Sequence, residues 1–424
     1  MLPTAGKAAS GRPPDDERAS GRRERRFFLH VIDEIDEVLG DDVLGLTGAI
    51  VVHVVLGDGN GGDGSSIVFN GNTLTGSLTG KETLEAKEYI LSGIVVIENG
   101  GELTIPAGTT IKARQGFSNY LLVAQGGKIY ANGTKDEPII FTADEDNAKS
   151  GHWGGIIING KAPISGSKAD KSDTALTEIN NDYKYGGNVD NDCSGSLTYV
   201  KICYAGARST ADIEHNGLTL NGVGNGTKIE NIYVLESADD AIEFFGGTVN
   251  VTNLLAVNPD DDMFDFTQGY CGTLKNCYGV WERDYTSTEA DPRGIEADGN
   301  MDGLYPDHLR QSDFIVENMT IVNNAANTTD NVDRMQDVIK VRRGAKATIK
   351  NALVKGTGGT IDLIDMKDSK GAGDANSSIN ITNTLSITGG NKLNGDLNTL
   401  VESENNTGAD ASLFGWTGSN LSSF

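Results

Sequence analysis

Two acidic segments of the chain share one pattern of carboxylates. The segment Asp239–Phe244 reads DDAIEF, and the segment Asp261–Phe266, 22 residues later, reads DDMFDF. Clustered carboxylates hold calcium, which takes roughly six to eight oxygen ligands, and carboxyl pairs catalyse glycoside hydrolysis. Asp also caps turns by accepting backbone N–H groups, so three interpretations stay open. The candidate calcium ligands are Asp239, Asp240, Glu243, Asp261, Asp262 and Asp265, to which Asp260, Asp298 and Asp302 could add.

A second repeat indicates the elements that must position these acids. An aliphatic residue, a spacer, an asparagine and a short apolar run recur at Asn231, Asn253, Asn276, Asn318, Asn351 and Asn383. A period of 22 to 23 residues indicates stacked units that cannot bury their apolar faces alone. The β-branched residues and flanking Gly, Asn and Asp favour strands and turns, and stacked asparagines can bond to one another. The sequence predicts an all-β, right-handed parallel β-helix with both acidic segments at the same turn of adjacent coils.

Strand signals and turn residues alternate along the rest of the chain. Two polar segments, 168–191 and 284–313, interrupt the pattern and are predicted to project as loops, while 413–424 is predicted to be a cap or a final strand. The predicted strands of the first coils are 89–97, 103–105, 109–111, 121–124, 128–131, 139–142 and 153–159.

The N-terminal segment differs from the repeat. Residues 1–26 have the composition of a disordered segment, and residues 27–46 carry apolar residues at helical spacing. The apolar run 44–56 is too short to span a bilayer, and the acids before it are untypical of an export signal. The predicted domains are therefore an irregular segment at 1–80, with a short amphipathic helix and a Gly-rich linker, and a β-helix at 81–424. No transmembrane segment is expected.

Composition and cysteine spacing restrict the partners. The chain has 60 acidic and 35 basic side chains and a net charge of −25. Nucleic-acid binding requires clustered Lys and Arg and is therefore excluded, whereas cation binding fits this charge. The cysteines lack a zinc-ligand spacing. Cys277 lies in the apolar part of a repeat and is predicted to be buried, and a bridge to Cys271 depends on the redox compartment.

Long segments resemble a known group of proteins. Residues 90–113 (ILSGIVVIENGGELTIPAGTTIKA), 151–165 (GHWGGIIINGKAPIS) and 216–266 are similar to secreted or surface β-helix proteins common in Bacteroidota. Members of that group have a pectate-lyase-like fold, are largely uncharacterised and are often labelled lipoproteins or hypothetical proteins. The resemblance implies the architecture and an extracellular or cell-surface location. No cysteine precedes Cys193, so no lipid-attachment cysteine is expected.

The acidic pair and the residues around it also resemble a sequence motif of the polygalacturonases, which are right-handed β-helices. Residues 237–250 (SADDAIEFFGGTVN) share the Asp pair, an aliphatic residue and a later glycine and asparagine. The family's Gly-His-Gly element has no counterpart after Asp240, and its Arg-x-Lys element is matched only loosely at 340–343. The candidate catalytic residues are Asp239, Asp240, Asp261, Asp262 and Arg283.

A pectate-lyase-like reaction would need calcium on the carboxylates and a basic residue that abstracts a proton. Arg283, Arg293 and Arg310 lie in or beside the polar segment 284–313 and are the candidates for that base. The predicted ligand-binding residues are Trp281 and Tyr285, as a platform for a sugar, together with Arg293. Trp153, which precedes two glycines, is expected to seal a coil.

The sequence therefore predicts a non-enzymatic extracellular or cell-surface scaffold for adhesion or glycan binding, stabilised by calcium as its cofactor. The expected partner is a polysaccharide or a cell-surface glycan. The competing prediction is a carbohydrate-active enzyme, either a polysaccharide lyase or a polygalacturonase-like glycoside hydrolase. An acidic polysaccharide would be repelled by a net charge of −25 unless calcium or arginines bridge the two, which favours the scaffold.

Overall fold

The structure, a computed structural model, describes residues 71–166, 173–210, 213–325 and 335–421, and the predictions for residues 1–70 lie outside this part. Its first strands are β1 (Thr73–Leu78), β2 (Lys81–Thr83), β3 (Glu88–Ile97), β4 (Glu102–Pro106), β5 (Thr110–Ala113), β6 (Gly116–Val123), β7 (Lys128–Asn132), β8 (Ile139–Ala143), β9 (Trp153–Asn159), β10 (Thr174–Thr177), β11 (Asn180–Gly186), β12 (Gly195–Cys203), β13 (Arg208–Thr210) and β14 (Ile213–Glu214). The later strands are β15 (Leu218–Asn221), β16 (Lys228–Leu235), β17 (Ile242–Phe245), β18 (Asn250–Val257), β19 (Phe264–Thr267), β20 (Thr273–Trp281), β21 (Ile295–Ala297), β22 (Asp313–Asn323), β23 (Met335–Lys340), β24 (Lys346–Lys355), β25 (Gly359–Asp365), β26 (Ser378–Asn383), β27 (Ser386–Ile387), β28 (Leu393–Asn394) and β29 (Thr399–Glu402). Two 3₁₀ helices, Met301–Gly303 and Ala411–Thr417, complete the elements of the described residues.

The strands stack as coils of a parallel β-helix. Twenty-five of them form one sheet, and its pairings are parallel throughout the described residues. In the central coils a long strand alternates with a short one: β16, β18, β20 and β22 pair in order, and so do β17, β19, β21 and β23. Side chains alternate between the two faces of each strand, so one set fills the interior. Phe244, Phe266 and Phe314 stack there, with ring centroids 5.2 and 4.2 Å apart.

The repeated asparagines form a column at a bend within the long strands. Asn231, Asn253 and Asn276 have φ angles of 57°, 58° and 55°, a left-handed conformation that asparagine tolerates better than most residues. Nδ2 of Asn253 donates to Oδ1 of Asn231 at 2.9 Å, and Nδ2 of Asn276 donates to Oδ1 of Asn253 at 2.8 Å. The same bond joins Asn351 to Asn318 at 2.8 Å. These contacts confirm the stacking predicted from the period.

The sixth predicted copy does not join this column. Ile381 pairs with Ala352 and Asn383 pairs with Val354, because the register shifts between Ile349 and Ala352. The prediction for Asn383 was therefore wrong. A local irregularity of this kind adds or removes a residue on one strand. The repeated Asn-containing motif does not by itself indicate where such a register shift occurs.

The two predicted excursions contain strands. Within 168–191, β10 and β11 form an antiparallel hairpin outside the main sheet. Within 284–313, β21 pairs with β19 and with β23, so one short strand in this segment belongs to the stack and only its flanks are loops. The first strand, β1, pairs with β3 and starts before the domain boundary predicted at residue 81.

The last residues run back along the outside of the stack. In this C-terminal strap (Ser403–Leu421), the N–H of Asp410 donates to Oδ1 of Asn276 at 2.6 Å, and the carbonyl of Thr417 accepts from Nζ of Lys201 at 2.8 Å. Phe414 is fully buried against outward-facing apolar side chains of several coils. The prediction of a cap or final strand at 413–424 is thus replaced by a strap along the side. None of the helices in the described part of the chain has the length and apolar character needed to cross a bilayer.

Candidate functional site: an acid-lined cavity on the β-helix

The acidic side chains lie in columns because the coils stack in register. Glu243 on β17 pairs with Asp265 on β19, and Asp265 pairs with Glu296 on β21. Adjacent strands are about 4.8 Å apart, so carboxylates on successive coils become close neighbours. Their neighbours in the chain, Phe244 and Phe266, point into the core, which leaves Glu243 and Asp265 on the outer face. The prediction that the two acidic segments lie on adjacent coils is confirmed.

The paired aspartates of the two acidic segments lie in the turns that precede the short strands β17 and β19. The N–H of Asp262 donates to Oδ1 of Asp240 at 2.9 Å, and the N–H of Asp240 donates to Oδ1 of Asn216 at 3.2 Å. Asp240 therefore does cap the next turn, as one interpretation of the sequence held. It uses one carboxylate oxygen for this, and the other remains for further contacts.

The carboxylates form three overlapping groups, and within each group one oxygen per residue lies within 4.8 Å of the others. The groups are Asp239–Asp240–Asp261, Asp240–Glu243–Asp265 and Asp262–Asp265–Glu296. Asp240 and Asp265 each belong to two groups. All six predicted metal ligands are thus brought together, and Glu296 is an additional member that the sequence did not indicate.

Asp239 lies 4.0 Å from Arg208, and Glu296 is paired with Arg293 and Arg342, whereas the other five acids have no ion-pair partner among the described residues. Asp262 is 2 % exposed, and Oδ1 of Asp261, Asp262 and Asp265 has no hydrogen-bond partner among the described residues. Burial raises the pKa of Asp261 to about 8, and repulsion from Glu296 adds to this. Burial followed by repulsion from neighbouring carboxylates also raises the pKa of Asp240 well above its usual range. Buried carboxylates in this state must either hold protons or bind a cation.

A cavity of about 540 Å³ opens over these columns. Its floor includes Asp239, Asp240, Glu243, Asp261 and Asp265. One wall is the β10–β11 hairpin, and another is the loop that follows β21. The hairpin is fixed by two buried contacts: Nδ2 of Asn159 donates to Oγ1 of Thr177 at 2.7 Å, and the hydroxyl of Tyr185 donates to Oε1 of Gln268 at 2.7 Å.

His215 and Asn216 also line the cavity, although sequence reasoning did not select them. Leu218 pairs with Ile242, so these two residues occupy the positions of Asp239 and Asp240 one coil earlier. Nε2 of His215 lies 3.0 Å from the carbonyl oxygen of Phe117, whereas Nδ1 has no partner among the described residues. Burial lowers the pKa of His215 to about 4, so the ring is neutral at pH 7 and Nδ1 is an acceptor. Aligning the coils before Asp239 would have revealed this pair.

The predicted basic residues lie elsewhere. Arg293 is 6 % exposed and is bound by Asp291, Glu296 and Asp337, so it does not face a ligand. Arg283 is exposed and lines a separate depression next to Tyr285. Arg310 donates to the carbonyl oxygens of Gly269 and Gly247 at 2.7 and 2.8 Å. None of the three lines the acid-lined cavity.

Of the two predicted platform residues, Trp281 is buried and Tyr285 is half-buried. Trp281 is 1 % exposed, and its Nε1 donates to the carbonyl oxygen of Pro259 at 2.9 Å. The hydroxyl of Tyr285 donates to the same oxygen at 2.8 Å, and its ring packs on Trp281. Trp281 and Tyr285 therefore pack at the end of β20, where the following loop begins. Trp153 is likewise buried, as expected, with Nε1 bonded to the carbonyl oxygen of Cys203.

The remaining predicted residues divide between capping and ion pairing. Asp260 accepts from the N–H of Thr288 at 2.7 Å and so stabilises a loop. Asp298 and Asp302 line the cavity but are paired with Arg343. Cys193, Cys203, Cys271 and Cys277 are all free thiols, and Cys277 is buried as predicted.

Fold and site together define a parallel β-helix with an acid-lined cavity on its outer face. The chain belongs to the family of pectate-lyase-like β-helix domains, whose family model matches residues 76–419. The right-handed parallel β-helix predicted from the repeat is thereby confirmed. No curated protein and no solved structure matches the chain.

Proposed function

We propose that this protein is an extracellular or cell-surface scaffold that binds glycans through calcium held in the acid-lined cavity. The observation that carries the proposal is the overlap of three carboxylate groups in which several oxygens have no partner among the described residues. Removing charged carboxylates from water costs several kcal/mol per ion unless a counter-charge compensates. A divalent cation supplies that charge, and Asp240 and Asp265 are the residues best placed to contact it.

The chemistry and size of the site fit this role. Calcium accepts roughly six to eight oxygen ligands in flexible geometry, and a group of three carboxylates leaves coordination positions for other oxygens. Sugar hydroxyls can occupy such positions. The cavity of about 540 Å³ lies within the range of about 300–1,000 Å³ that is typical of small-ligand pockets, which is room for one or two sugar rings.

The test is calcium-dependent binding of glycans to the purified full chain. A glycan array and isothermal titration should show binding at millimolar free calcium that is lost on chelation. Asp240→Asn and Asp265→Asn should abolish this binding, whereas Asp396→Asn, which removes an exposed carboxylate outside the cavity, should leave it intact. Binding that is equally strong with a chelator would contradict the role of calcium.

A glycoside hydrolase is the second candidate, because one carboxyl group has the property of a general acid. Burial raises the pKa of Asp261 to about 8, so its carboxyl holds a proton near neutral pH, as catalytic acids of glycosidases do. The oxygens of its group lie within 4.8 Å of one another, closer than the roughly 6.5–9.5 Å of inverting enzymes and nearer to the spacing of retaining ones.

Hydrolysis would release new reducing ends from neutral or acidic polysaccharides, and Asp261→Asn would eliminate them. Glycan binding without any release of reducing ends supports the scaffold. Release that depends on Asp261 would replace the scaffold by the hydrolase. The binding role comes first because it accounts for all three unpartnered aspartate oxygens, whereas hydrolysis accounts for Asp261 alone.

A further inference from the structure

The cavity carries a large excess of acidic groups. Nine of its lining residues are Asp or Glu: the five of the floor together with Glu178, Glu214, Asp298 and Asp302. Among the described residues that line it, Arg343 is the one Lys or Arg, and His215 is neutral because burial lowers its pKa to about 4. Arg208, outside the lining, pairs with Glu214 at 3.1 Å and lies 4.0 Å from Asp239, so acidic groups still outnumber the cations around them. A ligand carboxylate would add one more acidic group to a site in which the carboxylate oxygens of each group already lie within 4.8 Å of one another, and it would therefore be repelled.

Arg343 already binds three carboxylates of the protein. Its Nη1 lies 2.5 Å from Asp298 and 3.1 Å from Asp302, and its Nε lies 3.3 Å from Asp368. Arg342, beside it in the chain, is bound by Glu296 and Asp298. A guanidinium recognises a carboxylate through its N–H donors, and Nε and Nη1 of Arg343 already face carboxylates of the protein itself.

Unpartnered polar atoms lie in the lining of the cavity, and those of His215 and Asn221 can only accept a hydrogen bond. They belong to four lining residues, and none has a hydrogen-bond partner among the described residues: Nδ1 of His215 and Oδ1 of Asn221, Asp261 and Asp265. His215 and Asn221 are 1 % and 2 % exposed, so leaving them unpaired has a cost of desolvation. A hydroxyl can donate to such atoms, and an ionised carboxylate cannot.

Apolar side chains form the rim opposite the acids. Leu176 on the hairpin wall is 56 % exposed and Met301 on the opposing loop is 40 % exposed. Exposed apolar side chains beside convergent polar groups are typical of a ligand site. The C–H faces of a sugar ring can contact this rim while its hydroxyls point to the acceptors of the floor.

We infer that the ligand is an uncharged, hydroxyl-rich glycan and that polyuronates are excluded from the cavity. The inference rests on the proposed glycan-binding function and narrows its substrate class. Three features support it together: the excess of acidic groups, the engagement of Arg343 by protein carboxylates, and the unpaired acceptors of His215 and Asn221.

The experiment compares sugars that differ only at C6. Oligomers of glucose, mannose and galactose are titrated into the full chain beside the matched glucuronate, mannuronate and galacturonate oligomers, at equal length and fixed free calcium. The neutral member of any pair that binds should have the lower Kd by about tenfold or more, because the acidic member meets like charge. A uronate that binds as tightly as its neutral partner, or tighter, overturns the inference and leaves the proposed function standing. Failure of every pair to bind overturns both.

A rim variant tests the electrostatic cause. Leu176→Lys places a cation at the exposed edge of the cavity and should reduce the preference for the neutral sugar several-fold. Leu309→Lys is the matched control, since Leu309 is 73 % exposed and does not line the cavity, and it should leave the preference unchanged. If both variants change the preference equally, the charge of the cavity is not its cause and the inference fails.

Discussion

The backbone N–H of Asp262 donates a hydrogen bond of 2.9 Å to Oδ1 of Asp240, one coil earlier. This contact separates two roles that the sequence left open. One oxygen of Asp240 stabilises the turn, whereas the residue also belongs to two of the carboxylate groups. Turn capping and cation binding are therefore compatible in the same side chain, and the two roles can be separated by experiment at Asp265, which belongs to two groups but caps no turn in the described residues.

Asp265→Asn should abolish stabilisation by calcium without destabilising the protein in a chelator. Wild-type protein should gain about 2–3 kcal/mol when free calcium is about 100-fold above its Kd, because the ion binds only the folded state. The variant loses a ligand shared by two groups and also relieves repulsion from Glu296 and Asp298, which with burial raises the pKa of Asp265. Its melting midpoint in chelator should therefore equal or exceed that of the wild type. Thermal unfolding with and without calcium measures both effects, with Asp396→Asn as control.

Because His215 is buried in its neutral form, the free energy of unfolding should decrease as the pH falls. The pKa of His215 is lowered to about 4 by burial, against about 6.5 in an unfolded chain. Between these values the unfolded state binds the extra proton, so stability is present above pH 6.5 and falls as the pH decreases towards 4. The full effect is about 3 kcal/mol, at 1.36 kcal/mol for each pKa unit.

The measurement is the free energy of unfolding in urea at pH 7 and pH 4.5 for the wild type and for His215→Gln. Other groups titrate in this range, and buried acids with raised pKa shift stability in the opposite direction. The informative quantity is therefore the difference between the two proteins. The loss on acidification should be smaller for the variant, and equal losses would show that the ring is not held neutral in the folded state.

The stacked coils and the acidic columns could be predicted because both correspond to residue types that recur at a fixed spacing in the sequence. Asn231 and Asn253 repeat after 22 residues and meet in space, and the same spacing brings Asp240 next to Asp262. Identical residue types at a fixed spacing are the strongest sequence signal of a solenoid.

The rest of the site could not be predicted, because it departs from that period. Asn216 lies 24 residues before Asp240 and differs from it in type, so the 22-residue repeat does not include it, and only an alignment of the preceding coil links it to the acids. Arg293 lies one coil after Asp262, but the loop between β20 and β21 lengthens the spacing between them. The 22-residue period therefore does not reveal that the two residues align. The hairpin that forms one wall has no counterpart in the repeat, and whether Trp281 faces the core or solvent depends on the path of the following loop.

Asn253 should contribute to stability through both its conformation and its ladder. Asn253→Ala removes a bond to Asn231 and one from Asn276 and places alanine at φ 58°, at a cost of about 1 kcal/mol for each bond and about 1–2 kcal/mol for the backbone. Asn253→Gly loses the bonds but tolerates the conformation. Urea unfolding should therefore rank the wild type above the glycine variant and the glycine variant above the alanine variant. Equal losses for both variants would mean that the left-handed backbone adds nothing.

The C-terminal strap should stabilise the outer face of the coils. Phe414 is fully buried, with its ring 6.2 Å from that of Tyr278, and Phe414→Ala should cost about 3–5 kcal/mol, as is typical of large core truncations. Leu413→Ala, at a neighbouring residue that is 45 % exposed, should cost less than about 0.5 kcal/mol. Gel filtration should also show increased association of Phe414→Ala, because the apolar stripe beneath the strap becomes accessible. Similar unfolding free energies for the two variants would contradict the role of the strap.

Arg293 should stabilise the fold although it does not line the cavity. It lies among Asp291, Glu296 and Asp337, so Arg293→Met leaves the buried Glu296 with Arg342 alone and the buried Asp337 with Lys340 at 3.9 Å, at a cost of up to about 3–5 kcal/mol near pH 8. Burial raises the pKa of Asp337 to about 6 even with Arg293 present, and loss of the cation raises it further. The destabilisation should therefore shrink as the pH falls from 8 to 5, because the unpaired acids become protonated in the folded state. Unfolding free energies across this range test the prediction, with Arg114→Met, whose side chain is 61 % exposed, as the matched control. A loss that does not vary with pH would show that packing, rather than charge, is what Arg293 provides.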